Sequence, residues 1–448
     1  MPFAGLIRDF KIEVSRRTLA VGVCGCIALI APALVGRTAY AQAQIAAGAP
    51  GGLTGLGGVR VGEGVFLRVG VSAEAGYDSN IFYNDARKKD ASTIQVTPHA
   101  EISNQERSGE APPLRYLLGA SLLCREYLSD ETEIKDQRAF NPALQASLRY
   151  GGAGTLGFGL SDQFMRLEEA PYNLGQDPIK RVFNNFGADL HITPGGGRLQ
   201  NTVRYSNSLE LFENNDASFA NRIGQDLALT ASWKWLPKTA VYVEVGGGYI
   251  HYLNPNPDSG PTPPLTKVDS IPYRALLGLR GLVTPKVTVN LGAGYADAYY
   301  KSDRPTPSGW GQLLGLASLN YNPITFTNVI LSYEHKFVDS PFIGNFYDDD
   351  EATLGLSQQL GAFILRGSYN YAYRRYHGFA GTSTTVLETR KDHLQRATVD
   401  ADYYLQRWFY AGFSYKAFLN RATDVLVISP FAADYTKHVI LGRLGITY

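Results

Sequence analysis

The chain has 448 residues, 44% hydrophobic and 12% aromatic, with 47 Gly, 28 Tyr and only 2 Met, a mix that favours strands and turns over helices. A formal net charge of +1 gives no whole-chain reason to expect a nucleic-acid partner. Three cysteines with no CxxC or Cys/His cluster exclude a zinc ribbon and a disulfide framework.

At the N-terminus, Arg8, Lys11, Arg16 and Arg17 precede the apolar run TLAVGVCGCIALIAPALVG, and Ala39-Tyr40-Ala41 places small residues where a signal peptidase reads. This predicts a signal peptide over 1–41, cleaved after Ala41. The run is short and contains Pro32, which argues against an anchor. Cys24 and Cys26 leave with it, and Cys124 alone cannot form an internal disulfide. No later apolar run is long enough for a membrane-spanning helix. Residues 42–64, rich in Gly and Ala, read as a flexible periplasmic lead-in.

From 65 to 448 the chain breaks into about eighteen segments with period-two alternation. They cover 65–77, 91–104, 112–127, 138–150, 153–167, 182–193, 197–212, 221–235, 239–253, 268–282, 286–300, 309–321, 325–338, 350–360, 362–376, 391–405, 408–420 and 435–448. Tight turns (GG, PGG, LPK, VTP, NPI, G, QR) alternate with longer loops. The first short-side turn, NQERSGEA, is the one irregular member. This rhythm predicts an all-β, transmembrane outer-membrane β-barrel of about 18 antiparallel strands, with N- and C-termini periplasmic. Hydrocarbon offers backbone groups no partner, so a spanning sheet must close. A chain ending HVILGRLGITY, in mid-strand, fits such closure: Ile440, Leu444 and Ile446 face lipid, Arg443 faces the lumen, and Tyr448 joins the interfacial aromatic girdle.

Parity then assigns faces. Val241, Val243 and Val245 point out while Glu244 points in; Leu365, Tyr369 and Tyr371 point out while Arg366, Asn370 and Arg374 point in. Asp162 and Gln358 fall on the outward parity, which leaves the registers of 153–167 and 350–360 open. The predicted basic lining comprises Arg115, Arg125, Arg149, Arg204, Arg274, Arg280, Lys336, Arg366, Arg374, Arg396 and Arg443, with Arg68, Arg198, Lys234, Lys286, Lys416 and Lys437. The predicted acidic lining is Glu74, Glu244, Glu334, Asp400 and Asp402, with Glu101, Asp189, Glu210 and Asp226. Base outnumbers acid, so the lumen should attract anions, unless cross-strand salt bridges absorb the charge. FYDDDE (346–351) reads as a solvated outer loop rather than a metal site, so no metal is expected. No loop is long enough to fold far inward and no plug domain precedes the first strand, so the lumen should be open or narrowed only by wall side chains.

Chemistry is sparse. The seven histidines are dispersed, and neither HExxH nor a GxSxG elbow in a strand-turn-helix context occurs. Glu334 and His335 lie on opposite faces, and Asp400 and Asp402, on one face, should meet arginines such as Arg396. No enzyme activity and no cofactor are expected.

The stretch GYDSNIFY (76–83) resembles the Tyr-Asp-x-Asn-Ile/Val-Phe signature that opens the putative β-barrel porin 2 family of proteobacterial outer-membrane proteins. Locally it also reads as a turn, with Asp78, Ser79 and Asn80 bonding their own backbone and with Tyr77 and Phe82 anchoring the interface. The resemblance covers the barrel and implies a porin-like protein of a family often linked to exopolysaccharide export. The expectation is therefore an outer-membrane channel for anionic solutes, with an acidic exopolysaccharide as export substrate. A general diffusion porin and a structural or adhesive barrel with a closed lumen are the alternatives. Implied partners are outer-membrane lipid, an anionic polysaccharide, periplasmic export proteins and the barrel-assembly machinery, which Tyr448 would help engage.

Overall fold

The computed structural model describes residues 58–62, 64–104, 113–151, 154–169, 179–254, 267–301, 311–342, 345–379, 386–423 and 434–448. The expected signal peptide and most of the lead-in lie outside them, as does most of NQERSGEA. Each alternating segment forms a strand, because one parity is apolar enough for lipid and the other can pair in a polar interior. A short strand β1 (Val59–Gly62) precedes β2 (Val65–Asp78), β3 (Ala91–Ser103), β4 (Leu114–Leu128), β5 (Ala139–Tyr150), β6 (Leu156–Glu169), β7 (Ile179–Ile192), β8 (Leu199–Phe212), β9 (Arg222–Leu236) and β10 (Thr239–Tyr252). Then come β11 (Ser270–Thr284), β12 (Val287–Tyr300), β13 (Gly311–Tyr321), β14 (Thr327–Asp339), β15 (Phe346–Leu360), β16 (Phe363–Phe379), β17 (Val386–Gln406), β18 (Phe409–Thr423) and β19 (Tyr435–Thr447).

Strands β2 to β19 pair antiparallel with their sequence neighbours, and β19 closes on β2 with Arg443 opposite Glu74. The result is a closed barrel of eighteen strands. At the seam the Tyr448 N–H donates to the Val69 carbonyl at 2.8 Å and the Val69 N–H to the Tyr448 carbonyl at 2.9 Å. Beyond that point β2 would have a bare edge, and β1, expected as part of the lead-in, covers it with Val59 opposite Leu67. Turns at one end are short. Gly361, at φ +61°, makes the β15–β16 reversal, Pro237 and Lys238 link β9 to β10, and Arg407 and Trp408 link β17 to β18. The chain enters β2 and leaves β19 at this short-turn end.

The outer face carries exposed apolar residues such as Leu118, Leu277, Leu313 and Leu444. Ile440 and Ile446 share that face, while Leu441 and Arg443 are buried on the other. Aromatics flank this band. Trp233, Trp235, Phe326, Tyr403 and Trp408 lie toward the short turns; Tyr77, Tyr273, Tyr295 and Tyr333 lie toward the long loops. There the Tyr77 hydroxyl donates to Asp90 (2.7 Å), Tyr273 to Asp297 (3.1 Å) and Tyr333 to Asp350 (2.7 Å), tethering each ring where water begins. Outward Asp162 is matched by Asn184, 2.8 Å away. Among the described residues no helix is long and apolar enough to cross a membrane, which says nothing of strands.

Three expectations need correction. FYDDDE is not an outer loop: β15 starts at Phe346, so Asp349 and Glu351 join Lys336 and Glu334 inside, while Asp348 and Asp350 face out beside His377 and His335. Phe82 does not anchor the outer interface. It is 1% exposed and packs inside the mouth with Ile81, Ala91, Tyr127 and Ile134. Nor is the lumen narrowed by wall side chains alone. At the long-loop end Phe342, from beyond β14, packs with Phe212, Ala217, Phe219, Ala220, Tyr347 and Tyr376, and Tyr83 packs with Phe418 and Tyr435. These apolar clusters form because short loops can still turn inward when each brings an aromatic ring to bury.

Candidate functional site

Inside the barrel, the charged side chains divide into two kinds of wall. On β14 to β19 and β2 they are matched. Arg443 lies 3.5 Å from Glu74 and 3.1 Å from both Asp400 and Asp402, and Arg366 pairs with Asp402. Lys336 contacts Glu351 (2.6 Å), Glu334 (3.0 Å) and Asp349 (3.9 Å), and Arg374 contacts Asp349 (3.3 Å). Asp400 and Asp402 thus meet Arg443 and Arg366, whereas Arg396 stands opposite Asn370. Elsewhere Arg274 bridges Asp226 (2.7 Å) and Glu244 (3.1 Å), Arg68 meets Glu101 (2.6 Å), and Arg125 lies 3.8 Å from Glu168.

The wall from β4 to β11, near the short turns, is different. Among the described residues Arg115, Arg149, Arg204, Lys234 and Arg280 form no ion pair. Arg115 stands directly opposite Arg149 across β4 and β5. Such a like-charge pair is unfavourable unless something negative joins it. Arg149 faces Gly159 on β6, which faces Asp189 on β7, which faces Arg204 on β8. Gly159 places no side chain between Arg149 and Asp189. Asp189 does not satisfy Arg204: its carboxylate lies 2.7 Å from His191, while Arg204 Nη1 and Arg149 Nε are buried without hydrogen-bond partners. Arg280 donates to Ser232 (3.0 Å) and more weakly to Gln200 (3.4 Å), and lies over the Tyr242 ring at 5.8 Å. Among the described residues no carboxylate forms an ion pair with it.

Sequence parity missed several inward groups: Arg181 and Arg222, which both hold the predicted Glu210, Arg390 with Asp392, and Asp78, 2.8 Å from the predicted Lys437. Asp349 and Glu351 were readable by continuing the alternation of Thr353 backward through the acidic run. With them the lining gains more acid than base, so the basic excess is smaller than the sequence suggests and concentrated on one wall. Arg198 and Lys286 sit in turns rather than on strands.

One arrangement invites a catalytic reading. His191 Nδ1 is 2.9 Å from the Thr202 hydroxyl and its Nε2 approaches Asp189 at 2.7 Å. That Asp189 oxygen nevertheless accepts no hydrogen bond, so the carboxylate does not orient the imidazole as a base. Among the described residues no group of three His, Cys, Asp or Glu gathers to hold a metal ion.

The sequence matches the family described as Putative beta-barrel porin 2 over residues 172–440, more than half of the chain. The chain belongs to this family. A porin 2 barrel is an outer-membrane protein of the transport class, which agrees with the lipid-facing band and closed sheet. No curated protein sequence matches significantly. Several solved structures are similar. An FrpB iron transporter from Neisseria meningitidis shares 12% identity at a TM-score of 0.44, with 82% of this chain and 66% of that one covered. The siderophore receptor PirA from Acinetobacter baumannii shares 8% (TM-score 0.39; 85% and 80% covered). The alcaligin outer-membrane receptor FauA from Bordetella pertussis shares 12% (TM-score 0.37; 85% and 76% covered).

Proposed function

We propose that this porin 2 barrel is an outer-membrane channel for anionic solutes, including acidic polysaccharide chains, which enter along the unpaired wall of Arg115, Arg149, Arg204 and Arg280. The carrying observation is one-sidedness. A fully paired lumen would have little net field, whereas unpaired guanidinium groups on one wall of a low-dielectric passage concentrate anions there. Arginine also presents a planar fork that accepts carboxylate or phosphate through two hydrogen bonds, which suits acidic sugars. In this reading the short turns and both chain ends face the periplasm after cleavage near Ala41, so the basic wall is the periplasmic entrance and export is the direction served.

The test is block of single channels by oligosaccharides added to one side. An oligomer of uronic acids on the short-turn side should interrupt current at concentrations where the neutral oligomer of equal length does not. Equal block by both would remove the substrate class. Tyr448 is proposed as an assembly signal. Tyr448→Asp should lower the amount of heat-modifiable barrel in membranes without changing current per channel, and normal membrane levels would remove that role.

A second reading has its own support. The apolar clusters at the long-loop mouth are what a structural or adhesive barrel with a closed lumen would need.

A further inference from the structure

The loop end of β14 does not stay on its own side of the mouth. Asp339 accepts hydrogen bonds from Tyr252 on β10 (3.0 Å) and Ser270 on β11 (2.8 Å) through its carboxylate, and from Arg222 on β9 (3.3 Å) through its carbonyl. The Ser340 carbonyl accepts from Lys267, ahead of β11, at 3.0 Å. Phe342 then reaches the far end of β8, where its ring sits edge-on to Phe212 at 4.8 Å and to Phe219 at 5.8 Å. Along the sheet, five strands separate β14 from β8. The contact is possible only across the interior.

We propose that Asp339–Phe342 is a strap that closes the long-loop mouth, and that passage of a solute requires Phe342 to leave its socket between Phe212 and Phe219. This rests on the channel reading above. The strap's construction is lopsided in a way that suits movement. Its anchor at Asp339 is polar and multiply bonded, while at its tip the Phe342 ring makes edge-on contacts with Phe212 and Phe219, each worth little beyond its buried area.

A disulfide across the socket tests the strap. Phe219→Cys and Phe342→Cys are combined in a Cys124→Ala background and recorded in planar bilayers before and after reductant. Oxidised channels should stay shut, and reduced ones should conduct more than the Cys124→Ala parent. Phe342→Ala should also conduct more than the parent. Oxidised and reduced channels with the same current, provided the disulfide is verified by mass spectrometry, would overturn the strap. The channel reading fails separately. Reductant-dependent current that prefers cations would remove anion passage and keep the strap, whereas anion-selective current indifferent to reductant would do the reverse.

Discussion

Replacing Arg443 by Met should destabilise the barrel by about 3–5 kcal/mol, the cost typical of removing one member of a buried ion-pair group. Arg443 is 7% exposed and is the cation common to Glu74, Asp400 and Asp402, of which Asp402 is fully buried. Without it Arg366 still holds Asp402, but Glu74 and Asp400 lose the guanidinium that lies beside them. It also joins β19 to β2 at the closing seam, so the loss falls where the barrel is completed. Thermal unfolding in detergent micelles, followed by heat-modified electrophoretic mobility, would register this as a large drop in transition temperature. Adding Glu74→Gln and Asp400→Asn, with Asp402 left to Arg366, should return most of the loss, because neutral partners no longer need the cation. A combined variant as unstable as Arg443→Met would mean that packing, not charge, is what Arg443 supplies.

Changing Arg115, Arg149 and Arg204 together to Gln should lower the anion-to-cation permeability ratio on the order of tenfold, within the range by which focused charge enriches counter-ions. Stability should hold or rise, since the Arg115–Arg149 opposition is removed and no ion pair is broken. The matched control is Arg274→Gln. It leaves Asp226 and Glu244 unpaired and should cost stability. If the triple variant kept the wild-type ratio, the unpaired wall would have no part in selection. Raised salt should shrink the wild-type preference, as screening shortens the reach of these charges.

Much of the fold was legible because a membrane barrel repeats one simple constraint on every strand. Val243 and Val245 must be apolar and Glu244 must not, so alternation gives the strand, its face and nearly its ends. Acidic runs defeat that reading. In FYDDDE both parities are charged, and only the pairing of Asp349 with Lys336 and Arg374 shows which half faces in. Partners were harder than faces. Parity places Arg204 and Asp189 on one surface and register sets them opposite, yet the carboxylate lies beside His191 and Arg204 forms no ion pair among the described residues. The strap was not legible at all. Phe212 and Phe342 are far apart in sequence, and nothing in either local pattern announces that they meet across a mouth.

The reversal potential of single wild-type channels in a potassium chloride gradient tests the central claim most directly. The account predicts a sign that reports chloride as the more permeant ion, with the preference lost in the Arg115, Arg149 and Arg204 variant. A reversal potential favouring potassium in the wild-type channel would contradict it.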